Sequence, residues 1–180
     1  GEPLLNKSLA AMVAYARASG AVETVGITSN GALLTRERGV ELIEAGLDSI
    51  RISVEHVSDA GYAKVTRKFD DYAMIVANVA ALFEEKTRRG RPLQIHAKII
   101  DVGLSAAEKQ RFHDDFGPIS DSRNIDSPMG WTDNAGIDWT LGQAVSTGMD
   151  GVSPLRDEIV VCPSPFKTLA INSNGDASVC

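Results

Sequence analysis

Two cysteines and a scatter of polar side chains at expected strand ends are the residues best equipped for chemistry. Cys162 and Cys180 stand in the pattern Cys-x12-Gly-x4-Cys, around Pro163-Ser164-Pro165-Phe166 and an Asn174-Gly175 turn. Thiolates at the base and the far strand of a hairpin can face one metal centre, although two thiolates do not complete a four-cysteine cluster. A disulfide across the hairpin, or two inert buried thiols, fits the same spacing equally well.

The polar set is Glu2 within Gly1-Glu2-Pro3, Ser29 and Asn30 within Thr28-Ser29-Asn30-Gly31, Ser53 and Glu55, Lys98 and Asp101, and Asp126. These matter only if strands end there, because parallel α/β folds bind ligands beyond the carboxyl ends of their strands. Singly, each has an ordinary reading. Ser-Asn-Gly is a common turn, Glu2 can complement a helix dipole, and Lys98 can extend its ammonium outward from the sheet. His56, His96 and His113 show no metal-ligand spacing and read as structural or solvated.

The elements that would position these groups alternate regularly. Leu5 to Ser19 reads as a helix with Leu5, Leu9, Met12, Val13 and Ala16 inward, and Val22 to Thr28 as a strand. Thr35 is a candidate N-cap for a second helix that stops at Gly46, and Ser49 to Val54 is the next strand. Glu55 to Lys68 reads as a loose stretch. Asp70 or Asp71 then opens a helix with a continuous apolar stripe from Tyr72 to Phe83. Leu93 to Ile100 is a strand, and Ser105 with Glu108 forms a capping box for a helix that points Phe112 and Phe116 inward. Ile119 to Asp126 is a fourth strand.

This order requires parallel strands with helical crossovers, so the fold class is α/β. Periodicity does not choose between an open sheet and a barrel. Residues 1–126 form the α/β unit and 127–158 an irregular connector with Trp131 and Trp139 as isolated large apolar groups. A different unit starts at 159, with a hairpin around Asn172 to Asp176.

Composition narrows the function. A chain of 180 residues with 43% hydrophobic residues can build a core, and its net charge of −6 offers no global attraction to nucleic acid or anionic lipid. The basic cluster Lys86 to Arg91 reads as a solvated helix end. No apolar run reaches the roughly 20 residues of a membrane span. The phosphate loop, the Gly-x-Gly-x-x-Gly fingerprint and the Gly-x-Ser-x-Gly elbow are all missing. These features lead to the expectation of a cytoplasmic location and of a chain that begins inside a larger protein.

In combination, the motifs resemble the radical S-adenosylmethionine (SAM) superfamily, in its branch with a SPASM or twitch auxiliary domain. The residues carrying the likeness are Gly1-Glu2-Pro3, Ile27 to Gly31 with Leu33-Leu34-Thr35, Gly46 to Ser53, and Cys162-Pro163 through Gly175 to Cys180. The resemblance implies a partial (β/α)6 barrel followed by the start of a small auxiliary iron–sulfur domain. Glu2 would then accept hydrogen bonds from the SAM amino group, and Ser29 and Asn30 would line the same pocket. Ser53 and Glu55 would contact the SAM ribose or carboxylate, and Lys98 the SAM carboxylate or the substrate. Cys162 and Cys180 would be the first two ligands of an auxiliary [4Fe–4S] cluster.

The implied activity is reductive SAM cleavage to a 5′-deoxyadenosyl radical that abstracts hydrogen from a substrate, often a peptide or protein in this branch. The Cys-x3-Cys-x2-Cys motif that binds the family's catalytic [4Fe–4S] cluster does not occur in the chain, and Glu55 stands where Asp is common. The chain alone is therefore expected to be inactive, and to associate with itself through an exposed sheet edge. Two other readings are a non-catalytic binding or scaffold module, and a different α/β barrel enzyme acting on a phosphorylated metabolite.

Overall fold

The computed structural model describes residues 1–66, 71–127, 166–172 and 174–178. Cys162, Cys180, Trp131, Trp139 and nearly all of the expected connector lie outside the described residues.

Four parallel strands, β1 (Gly26–Ser29), β2 (Ser49–Val54), β3 (Gln94–Ile100) and β4 (Ser122–Asp126), pair in chain order. The helices are α1 (Leu9–Ala18), α2 (Arg36–Glu44), α3 (Asp59–Thr66), α4 (Tyr72–Arg88) and α5 (Ala106–Phe116). Strand side chains alternate between faces. Ile50, Ile52 and Val54 of β2 and Ile95, Ala97 and Ile99 of β3 are all buried on one face, together with Ile75, Val79, Leu82, Phe112 and Phe116 from the helices. Full burial of each such side chain contributes about 1.5–3 kcal/mol. The opposite face carries Arg51, Ser53, His96 and Lys98 and stays open. A separate antiparallel hairpin, β5 (Ala170–Ile171) with β6 (Ala177–Ser178), turns through Gly175 at φ +89°, as its Asn-Gly signal predicts. Among the described residues no helix is long and apolar enough to cross a membrane.

Helix starts follow their caps. Thr35 accepts from Arg38 N at 3.3 Å and Asp71 from Met74 N at 3.0 Å. The Ser105–Glu108 capping box is complete, with contacts of 3.3 and 2.8 Å. Two aspartates set the lower ends of the strands in the same way. Asp48, just before β2, accepts from Val25 N at 2.7 Å; Asp121, just before β4, accepts from Ile95 N at 2.7 Å. Each carboxylate occupies a backbone donor that the neighbouring strand would otherwise leave open.

Five expectations need correction. The fourth strand starts at Ser122 rather than Ile119, because Gly117–Ile119 forms a 3-10 turn. The basic cluster Lys86 to Arg91 is more than a solvated helix end, because Lys86 is buried against Asp121 and Arg89 pairs with Glu44 and Glu85. The first helix starts at Leu9 rather than Leu5, because Pro3–Leu5 forms a 3-10 turn and Asn6 Oδ1 takes Ser8 N at 2.9 Å. That local bond holds Asn6 extended and interrupts the helix. Leu5 and Met12 are consequently exposed. The first strand begins at Gly26, not Val22, because its pairing with β2 begins opposite Ser49. The stretch expected to be loose contains α3. Ser58 Oγ accepts from Gly61 N at 3.2 Å to open this helix, and Gly61 is required there because a Cβ would overlap the His56 ring.

Helices α2 and α4 are tied by an ion network. Glu85, 5% exposed, contacts Arg36 at 2.6 Å, Arg88 at 2.6 Å and Arg89 at 3.1 Å. Hydrogen bonds from Arg88, then Arg89 and Arg36, hold its carboxyl down to about 2. Because this folded value lies below the unfolded Glu value of about 4.3, the network stabilises the fold above that pH and is lost as pH falls toward 2. Glu85→Gln is therefore expected to lower the urea midpoint at pH 7. The gap between variant and wild type should narrow between about pH 4.3 and pH 2. A gap that stays constant with pH would contradict this role.

Candidate functional site

The carboxyl ends of β1 and β2 meet the N-terminal residues in a cavity of about 220 Å³ lined by Gly1, Glu2, Thr28, Ser29, Asn30 and Ser53. Glu2 is its anchor. Glu2 Oε1 accepts from Leu4 N at 3.0 Å and Ser29 Oγ at 2.9 Å, and Oε2 accepts from Asn30 N at 2.8 Å. A carboxylate offers about four acceptor positions. Three are filled by groups that fix the side chain, which leaves one on a residue lining the cavity. That arrangement suits an ammonium or amino group.

The turn after β1 is built for this contact. Ser29, buried, passes its Oγ between Glu2 and Gly31 N, and Asn30 Oδ1 takes Ala32 N at 3.0 Å. Gly31 has φ +76°, and a Cβ there would sit 3.3 Å from Ile75 Cγ2, so the turn is held against α4. From α4, Asn78 Nδ2 donates to the carbonyls of Gly31 at 3.0 Å and Ala32 at 3.3 Å. Asn78 is a positioning residue that sequence reasoning missed. Its polar position within the apolar stripe of α4 was the available signal.

Of the other expected residues, Ser53 reaches the cavity, whereas Glu55 and Lys98 lie outside its lining. Glu55 N donates to Tyr62 Oη at 3.1 Å, which fixes the backbone just past β2. Lys98 pairs with Ser53 across β2 and β3, and its Nζ lies 3.5 Å from Asp126 Oδ2. Asn124, opposite Lys98, donates its amide to Asp126. The buried Asn124 side chain also faces His96, whose charged form it favours. His96 Nδ1 lies 2.8 Å from Ser122 Oγ. Burial, and then the adjacent Arg51 charge, push the His96 imidazole below its ordinary value, so it is neutral near pH 7. Among the described residues no group of three or more His, Cys, Asp or Glu side chains could hold a metal ion.

A family model described as the radical SAM superfamily matches residues 1–96, which include Glu2, the Ser29–Asn30 turn and Ser53. The chain belongs to the radical SAM superfamily. This family uses SAM and a [4Fe–4S] cluster. The chain is similar to proteins named GTP 3′,8-cyclase. The one from Chlorobaculum tepidum is 40% identical over 68 residues, covering 38% of this chain and 20% of that protein. That from Xanthomonas axonopodis pv. citri is 32% identical over 81 residues, or 45% and 24% of the two chains. A Staphylococcus aureus relative is 32% identical over 68 residues, 38% of this chain and 20% of its own. The chain thus spans about a fifth to a quarter of the length of these relatives.

Proposed function

We propose that this chain forms the SAM-binding wall of an enzyme that reductively cleaves SAM and abstracts hydrogen from a substrate. The observation carrying this reading is Glu2, locked by Leu4, Ser29 and Asn30 with one acceptor position left on the cavity. When bound, the [4Fe–4S] cluster and SAM supply the radical chemistry. The chain's own residues bind, orient and shield. Glu2 takes the amino group in a charge-assisted contact. The Ser29–Asn30 turn holds that carboxylate in place, and Ser53 adds its hydroxyl to the cavity lining. The winding of four strands in chain order, with helices on one face, supports the partial-barrel reading. The β5–β6 hairpin supports a SPASM or twitch unit, in which Cys162 and Cys180 would ligate an auxiliary [4Fe–4S] cluster.

The peptide or protein substrate expected from the resemblance rests on that resemblance alone. A nucleotide substrate is the second reading, and the names of the relatives favour it. A cytoplasmic location belongs to the same proposal.

The test is 5′-deoxyadenosine production by the full-length protein, reconstituted anaerobically with iron, sulfide, SAM and a strong reductant. Production that requires the reductant supports the reading. No production from a protein that holds its clusters would favour the non-catalytic module.

Asn78 gives a second check. Removing its amide leaves two turn carbonyls without their donor, at about 1 kcal/mol per bond. In the full-length enzyme, Asn78→Ala is expected to raise KM for SAM by roughly three- to tenfold with kcat nearly unchanged. A loss confined to kcat would contradict a positioning role.

A further inference from the structure

The loop after β2 and the start of α5 are each built by their own contacts. In the first, Val57 is buried in the core, Glu55 N donates to Tyr62 Oη at 3.1 Å, and Ser58 Oγ accepts from Gly61 N at 3.2 Å. In the second, Asp101 Oδ1 accepts from Gly103 N at 3.2 Å and Leu104 N at 2.9 Å, and Lys109 pairs with Asp101 Oδ2 at 2.5 Å. Glu108 Oε2 accepts from Ser105 N at 2.8 Å. His56 reaches from the first segment to the second, with Nε2 3.5 Å from Glu108 Oε1.

The His56 ring is fixed for this contact. It rests against the backbone of α3, where a Cβ on Gly61 would overlap Nδ1, and its side chain is only 15% exposed. Nδ1 lies 3.2 Å from Ser58 Oγ, a hydroxyl that keeps a lone pair beyond its bond from Gly61 N. Both ring nitrogens therefore face an oxygen that can accept, which is what an imidazolium needs. In the neutral ring, Ser58 turns its proton to Nδ1, and Nε2–H meets Glu108 without a charge of its own. Glu108 is ready as the counter-charge. Hydrogen bonds from the Ser105 hydroxyl and backbone N–H hold its carboxyl below the usual carboxylate range, so it is anionic where imidazoles titrate. Lys64 of α3 also attracts Glu108, and lysines titrate far above that range. Of the other charged neighbours, Asp59 accepts from Tyr72 N at 2.9 Å, Lys109 is held by Asp101, and Glu55 precedes His56 in the chain.

We infer that His56 and Glu108 form a proton-operated latch, which ties the loop after β2 to the start of α5 when His56 is charged and releases it when His56 is neutral. The sign follows from the charges. An ion pair made only in the latched form binds the proton more tightly there, so falling pH favours the latch and rising pH favours release. Histidines as a class change charge between about pH 5 and pH 8, which spans the physiological range. Both segments follow the carboxyl ends of their strands, β2 and β3, and Ser53 near the end of β2 lines the cavity. The latch thus acts on the ligand side of the sheet. It does not depend on the radical SAM reading.

The test is hydrogen exchange read by mass spectrometry on the full-length protein without SAM, from about pH 6 to about pH 8. The peptides that matter contain Gly61 and Ser105, and rates are corrected for the intrinsic pH dependence of exchange. Protection of both segments is expected to be roughly two- to fivefold greater at the low end, the factor that a partly exposed ion pair supports. Glu108→Gln should abolish this step while keeping the fold, because glutamine serves in a capping box as glutamate does. His56→Gln should abolish it too, leaving protection at the level that the wild type shows at high pH. Wild-type protection that does not change with pH overturns the inference. A step that survives in Glu108→Gln also overturns it, since a different group would then answer the proton. With no SAM present, either failure leaves the SAM-binding reading untouched, and a protein that never cleaves SAM can still show the latch.

Discussion

Glu2→Gln in the full-length, cluster-loaded protein is expected to weaken SAM binding by roughly ten- to hundredfold. Hydrogen bonds to a charged group are worth about 1.5–3 kcal/mol, which converts to that range. The substitution also puts an amide N–H where a carboxylate oxygen now meets Leu4 N, Ser29 Oγ or Asn30 N. At least one of these donors would then face another donor. Glu2→Ala removes the anchor outright and should cost more, both in SAM affinity and in the order of the turn after β1. Ser29→Ala is the graded control. It removes one of three contacts that hold Glu2 and should weaken SAM binding only severalfold. The dissociation constants of the three variants, measured side by side, check this order. Glu2→Gln binding SAM as the wild type does would contradict it.

The largest stability loss is expected from Asp121→Ala. Lys86 is only 7% exposed, and its Nζ contacts both Asp121 oxygens at 2.5 Å and Leu93 O at 2.8 Å. Removing the carboxylate leaves a buried ammonium without its counter-charge, and Ile95 N without its acceptor. Breaking a buried pair from one side costs about 3–5 kcal/mol. Lys86→Met should be milder, at about 1 kcal/mol, because Asp121 keeps water access and an apolar chain of similar length fills the space. Urea unfolding of the two variants decides the order. If Lys86→Met proves the more damaging, the carboxylate is not the group that makes the buried ammonium tolerable.

Sequence patterns reached furthest where local chemistry and global packing agree. The caps at Thr35, Asp71 and Ser105 depend on contacts three residues apart, so they were legible without a fold. The convergence of Glu2 with Ser29 and Asn30 was legible only through the family resemblance, since the contacts span 27 and 28 residues. Asn78 reaches across 47 residues to the Gly31 carbonyl, and no local pattern encodes that distance. Helix α3 was hidden because Gly61 lowers helix propensity in an eight-residue segment. There, the bulk of His56 decides which residue fits. Which side chains face one another across the sheet depends on register, which is set by the pairing of whole strands and is invisible in any one of them.

The most direct test of the SAM assignment is a crystal structure of the full-length, cluster-loaded protein with SAM bound. The expected result places the SAM amino nitrogen within hydrogen-bond distance of a Glu2 carboxylate oxygen, with Ser29 and Asn30 still holding that carboxylate. SAM bound with its amino group away from Glu2, or outside the cavity between Glu2 and Ser53, would contradict the account.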